Sequence, residues 1–207
     1  MGTAAKTATM YPKSALSGAK LHELIMQHNA GVQDDHAICA LLDQEGGDVD
    51  TDYEAQLTAL EIPFDGYTPT EAAEPGTNTP GFLTEKVMRQ LVRQHNARVD
   101  DIRKVVDKLN ADDGVTDEDF TSTALKINAL GETPGGGEYP VHFGGPGTGI
   151  SADLLQALVD EHNKLTQDWH DIAAKLDADN ALAGEYESKI TARVIAEIPP
   201  EPETEEE

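Results

Sequence analysis

The chain has 207 residues, 38% of them hydrophobic and 5% aromatic, with 15 Lys and Arg against 39 Asp and Glu for a net charge of −24. That apolar content is lean for one compact core and fits small helical modules joined by open segments. The acidity repels polyanions, which argues against sequence-independent nucleic-acid binding and suits a solubilising surface or a salty medium.

A single cysteine, Cys39, excludes an intrachain disulfide and reads as a small buried thiol. Met1 to Lys13 lacks the apolar stretch of a secretory signal, and no apolar run is long enough to span a bilayer. Lys6 stands where a myristoylation motif after Gly2 needs Ser or Thr. The expectation is a soluble protein, made in a reducing compartment and independent of membranes.

Residues 1–15 read as an extended N-terminal arm, with Lys6, Lys13 and Tyr11-Pro12 and no acid. Three similar units follow. His-Asn occurs at His28-Asn29, His95-Asn96 and His162-Asn163, each 67 residues after the last. The same offset relates Asp34, Asp101 and Asp168, then Leu42, Leu109 and Leu176, and also Ser17, Thr84 and Ser151. A fixed period of this size is the mark of a repeated supersecondary unit.

The first unit spans 16–62. Ser17, and likewise Thr84 and Ser151 in the later units, has the chemistry of a helix N-cap, since its side-chain oxygen can accept from the free N–H groups of a first turn. Leu16 and Leu21, with Leu83 and Met88 or Ile150 and Leu155 in the copies, have the spacing of a hydrophobic staple. A long helix follows with a seam at Leu21, Ile25, His28, Val32, Asp35, Cys39 and Leu42. Its mean step near 3.5 predicts side-by-side antiparallel packing against a second, shorter helix that begins near Asp50 and turns Tyr53, Leu57 and Leu60 inward. Each unit is thus an expected α-hairpin.

Residues 63–82 form a Gly- and Pro-rich linker, 83–130 the second unit, 131–149 a second linker and 150–197 the third unit, before an acidic tail at 198–207. The second unit repeats the seam as Met88, Val92, His95, Val99, Ile102, Val106 and Leu109, with Phe120, Ala124 and Ile127 on its short helix. In the third it is Leu155, Val159, His162, Thr166, Trp169, Ala173 and Leu176, with Tyr186, Ile190 and Val194. The linkers are either passive spacers or straps laid on a partner, with Tyr11, Tyr67, Phe82, Tyr139, His142 and Phe143 as anchors. The units differ in charge: ten acids and one base in 16–62, nine and eight in 83–130, ten and four in 150–197.

Catalytic and cofactor signatures are missing from the sequence. The run Gly144 to Gly149 is followed by Ile150 where a phosphate loop needs Lys. Asp48, Asp50 and Asp52 open like a calcium loop, but Tyr53 and Ala59 occupy its Gly and Glu positions, so turn and cap chemistry explains them. His28, His95 and His162 could converge on a metal if the units packed about a threefold axis. The simpler expectation is a core histidine in each separate hairpin, bonded to backbone, with Asn29, Asn96 and Asn163 bonding the linker or the short helix. No metal, cofactor or catalytic residue is expected.

The stretch Leu109 to Phe120, LNADDGVTDEDF, resembles an LDADxGVTDxDY phrase found in small virion structural proteins of tailed bacteriophages, with partial copies at Leu176 to Asp179 and Asp50 to Tyr53. The resemblance implies an all-α, non-enzymatic virion component, such as a capsid decoration or head–tail protein bound to capsid or neck proteins. Self-association is compatible with it. A soluble adaptor or chaperone-like module gripping cellular proteins is the alternative.

Overall fold

The computed structural model describes residues 13–45, 51–62, 81–112, 125–126, 130, 152–179, 182 and 184–196. The described chain is helical, with no strand among these residues: α1 is Lys13–Gln44, α2 is Gly81–Ala111 and α3 is Ala152–Ala178. At 1.5 Å per residue, the 32 residues of α1 make a rod about 48 Å long.

Two of the helix starts differ from expectation. Ser17 and Thr84 lie inside α1 and α2, not at their caps, and Lys13 to Ala15, Gly81 and Phe82 are helical, not arm or linker. Pro12 and Pro80 stand directly before the first helical residues. Proline is tolerated at a helix start and not in its interior, so it sets the boundary ahead of the Ser or Thr. In the third unit there is no such proline, and α3 begins directly after Ser151.

The seam residues are buried, and they show how the helices run. Leu21, Met88 and Leu155 share one apolar cluster with Ile25, Val92 and Val159. Leu42, Leu109 and Leu176 share another with Cys39, Val106 and Ala173. Positions one repeat apart therefore meet at the same level, so the three helices are parallel to one another. The expected antiparallel pairing of helices is replaced by a parallel three-helix bundle within one chain. The alternating steps of four and three are the period of a left-handed supercoil, which suits parallel and antiparallel packing alike. The seam forms seven layers, with His28, His95 and His162 making the third.

The expected second helix is also absent from the described residues. In its place is a single 3-10 turn, Glu54–Gln56 in the first unit and Glu187–Lys189 in the third, followed by extended backbone. Leu57 (φ −79°, ψ 129°) and Ile190 (φ −79°, ψ 115°) open these return segments with dihedrals near those of polyproline. Buried residues then recur every third position, Ala59 and Ile62, Ala192 and Ile195, while Leu60 and Val194 are exposed. A helix would have buried Leu60 and Val194. The backbone stays extended because side chains from the long helices take its N–H groups, leaving few donors for i to i−4 bonds.

Each return segment enters through a tight turn. Asp52 (φ 74°) precedes Tyr53, and Gly184 (φ 81°) with Glu185 (φ 76°) precedes Tyr186, all left-handed. Asp43 accepts from the N–H groups of Tyr53 (2.7 Å) and Glu54 (3.1 Å), and Asp177 does the same for Tyr186 (2.7 Å) and Glu187 (3.0 Å). These bonds satisfy the first donors of the 3-10 turn and hold the reversal. Of the three acids compared with a calcium loop, Asp52 thus lies in this turn; Asp48 and Asp50 lie outside the described residues.

Candidate functional site

The return segments are clasped by two sets of helix side chains, one from their own unit and one from the next. Within a unit the clasp is asparagine. Asn29 donates to the Ile62 carbonyl (3.0 Å) and accepts from its N–H (2.8 Å). Asn96 holds Leu130 at 2.7 and 2.8 Å, and Asn163 holds Ile195 at 2.8 and 2.7 Å. A primary amide matches one residue's N–H and C=O together, which a carboxylate cannot do.

Between units the clasp is aspartate. Asp101 of α2 accepts from Thr58 N (2.7 Å), Thr58 Oγ1 (2.8 Å) and Ala59 N (2.7 Å) of the first return segment. Asp34 of α1 receives the same three bonds from Thr191 and Ala192 of the last segment, at 2.8, 2.7 and 2.7 Å. Asp168 of α3 accepts from Lys126 N at 2.8 Å. Gln94 and Gln27 add bonds to the N–H groups of Leu60 (2.7 Å) and Arg193 (2.6 Å). The first segment thus crosses to α2, the second to α3 and the third back to α1, which closes a ring.

At the axis, His28, His95 and His162 are all buried. They sit near enough for His28 to feel the charges of the other two. They are therefore not core residues of three separate hairpins, as the sequence suggested, but parts of one layer. His28 Nε2 donates to the Leu60 carbonyl (3.2 Å) and His162 Nε2 to the Arg193 carbonyl (3.1 Å), tying the layer to the return segments. Burial, then the Arg98 guanidinium, pushes His28 down to about 3 and His162 to about 4. Among the described residues no group of three or more His, Cys, Asp or Glu is arranged to hold a metal ion. The Nε2 bonds explain this, since they aim those nitrogens at backbone carbonyls and away from a shared centre.

One turn further, Arg98 of α2 donates from Nε and Nη2 to Asp35 of α1 at 2.7 Å each, with both side chains buried. Burial pushes the Asp35 carboxyl up to about 6, against the pull of Arg98, and Asp34 and Asp101 push it the same way. Arg98 Nη1 and Trp169 Nε1 are buried without a hydrogen-bond partner. Cys39, the next seam residue after Asp35, is buried, its thiol pushed up by burial.

At the far end, Tyr53 donates its hydroxyl to Asp112 of the next unit (2.6 Å), and Tyr186 donates to Glu45 of the first (3.3 Å). Of the proposed anchors, Tyr11, Tyr67, Tyr139, His142 and Phe143 lie outside the described residues; Phe82 lies in α2, with its side chain outside them. The roles of Asp34, Asp101 and Asp168 were not read from the sequence, although their 67-residue spacing was visible there. A signal was available: an acid kept at a helix position beside the seam needs donors to meet it.

No family model matches the chain, no curated protein matches it, and no solved structure matches it.

Proposed function

We propose that the chain is a structural, non-enzymatic component of a tailed-phage virion, built from three tandem copies of one helix-and-return-segment unit and bound to capsid or neck proteins. The observation that carries this reading is the ring of cross-unit clasps, in which Thr58, Lys126 and Thr191 engage Asp101, Asp168 and Asp34 in turn. It joins the three units of one chain into a single braced rod with approximate threefold form, a rigid scaffold suited to binding neighbouring proteins rather than to chemistry. The phrase at Leu109 to Phe120, similar to one in phage virion proteins, supports the same reading, and the net charge of −24 suits an outward-facing surface.

On this reading the unequal charges of the three units let one rod meet unlike neighbours. The Gly- and Pro-rich stretches at 63–80 and 131–149 would strap the rod to its partner, with Tyr67, Tyr139 and Phe143 as anchors. Mass spectrometry of purified particles, together with the genes flanking the coding sequence, tests it. Peptides of this chain in stoichiometric amounts with capsid or neck proteins are the expected result. Absence from particles, with co-purification of host proteins from cell extract, would overturn it in favour of an adaptor.

A further inference from the structure

We propose that His28 and His162, in the layer they share with His95, form an acid-operated clasp, whose protonation frees their two return segments from the bundle. The geometry carries this directly. His28 and His162 reach from α1 and α3 to the Leu60 and Arg193 carbonyls, which lie at the middle of the two return segments. A carbonyl can bond only to an Nε2 that carries hydrogen, so each of these imidazoles is the neutral Nε2–H form and takes an added proton at Nδ1.

What faces the layer decides the consequence of that proton. From α2 come His95 and the buried Arg98 guanidinium, and from α3 come His162 and Thr166. Among the described residues, the carboxylates on neighbouring turns are engaged: Asp35 by Arg98, Asp34 and Asp101 by the amides and hydroxyls of Thr191 and Thr58, Asp168 by Lys126 N and Glu161 by Lys164. A new imidazolium would lie buried beside like charges, with these carboxylates already held by other groups. Opening the layer to water relieves it.

The sign of the linkage agrees. His28 and His162 titrate at about 3 and about 4 in the closed bundle, below the ordinary 6.5. Their stabilisation is complete above 6.5 and is lost as pH falls towards those values, because the open state binds the protons. Each such imidazole multiplies the opening constant by up to about tenfold per pH unit in that range. Asp35, held up at about 6, titrates the opposite way between about 6 and 3.8 and offsets one imidazole there.

Hydrogen exchange of the full chain tests this, with amide protection corrected for the chemical pH dependence of exchange. The reporters are the N–H groups of Thr58, Ala59, Ile62, Thr191, Ala192 and Ile195, followed from about pH 7.5 to about pH 5. Protection in the wild type should fall more than tenfold across that range. In His28→Gln/His162→Gln, whose amides still carry a donor, the fall should vanish or reverse, since Asp35 then acts without them. His28→Gln alone, which disturbs the fold less, should have a visibly shallower pH dependence than the wild type. Constant protection in the wild type, or the same slope in His28→Gln as in the wild type, overturns the proposal.

Discussion

Arg98 grips Asp35 through two 2.7 Å bonds in a space that Gly31 leaves open. The pair has no counterpart in the other units: Gly31 and Leu165 occupy the positions equivalent to Arg98, and Ile102 and Trp169 those equivalent to Asp35. A Cβ on Gly31 would stand 2.4 Å from Arg98 Nη1, 2.6 Å from Nη2 and 2.7 Å from Cζ. The guanidinium is the end of a long side chain, but its bonds to Asp35 leave it no room to retreat without breaking them. Gly31→Ala should therefore destabilise by about 2–4 kcal/mol, since disrupting a buried pair outweighs the ~1 kcal/mol gain in helix propensity. Urea unfolding would measure it, and a variant as stable as the wild type would refute the steric account.

The same pair offers a second test. Arg98→Leu or Asp35→Leu alone leaves one buried charge and should cost about 3–5 kcal/mol, while the double replacement should be neutral or stabilising by about 1–4 kcal/mol. Asp35→Leu alone, which keeps Arg98 beside the histidines, should also change the pH dependence. With Asp35 titrating at about 6 when folded, against an ordinary 3.8, its contribution favours the fold below 3.8 and is lost as pH rises through 6. Without it, the histidine effect acts unopposed, so stability should fall more steeply between about pH 6 and pH 4 than in the wild type. Melting temperatures across that range would show an equal or gentler slope if Asp35 were not the opposing group.

The long helices and their buried seam were legible in the sequence, because a heptad-like run from Leu21 to Leu42, copied twice at 67 residues, has no other economical solution. The direction of packing was not. Spacing along one helix is the same for parallel and antiparallel neighbours, and only Asp35, the one acid on the seam, with Arg98 at a neighbouring position, hinted that α1 and α2 meet at the same level. The second helix failed for a different reason. Tyr53, Leu57 and Leu60 have helical spacing, yet Asp101, Gln94 and Asn29 take the N–H groups of Thr58, Ala59, Leu60 and Ile62. Those acceptors lie up to 43 residues away, so no local propensity could reveal them. The asparagine clasps were half visible, as His-Asn recurs three times, but not the residue each would hold.

Tyr53 and Tyr186 make equivalent reaches of unequal strength. Tyr53 donates to Asp112, a buried carboxylate, at 2.6 Å, whereas the Tyr186 bond to Glu45 is 3.3 Å long and leads to a partly exposed partner. Burial, then the Glu45 charge, pushes the Tyr186 hydroxyl well above its ordinary range, so it stays a protonated donor at neutral pH. A short bond to a buried charged acceptor is worth about 1.5–3 kcal/mol. Tyr53→Phe should therefore cost about 2 kcal/mol, and Tyr186→Phe under about 1 kcal/mol. Chemical denaturation of the two variants side by side is sufficient, and the reverse ranking would contradict the geometry.

If each unit were a self-standing hairpin, cutting the chain between units would leave parts indifferent to one another. The clasps predict otherwise. A chain divided between residues 70 and 71 places α1 and its return segment on one piece and α2 and α3 on the other. Two of the three cross-unit clasps and both buried pairs that involve the first unit then cross the cut: Thr58 and Ala59 to Asp101, Thr191 and Ala192 to Asp34, Tyr53 to Asp112, and Arg98 to Asp35. The first piece alone would expose Leu21, Ile25, Val32, Ile38 and Leu42, which are buried in the bundle, and the described residues of that unit hold no second helix to cover them. Co-expressed, the two pieces should elute as one species of one-to-one stoichiometry in size-exclusion chromatography, with the helical circular dichroism of the intact chain. Asp34→Ala and Asp101→Ala together should weaken that association, because they remove six bonds across the cut, four of them to backbone amides. Two separately eluting, independently helical pieces would mean that the units are hairpins after all.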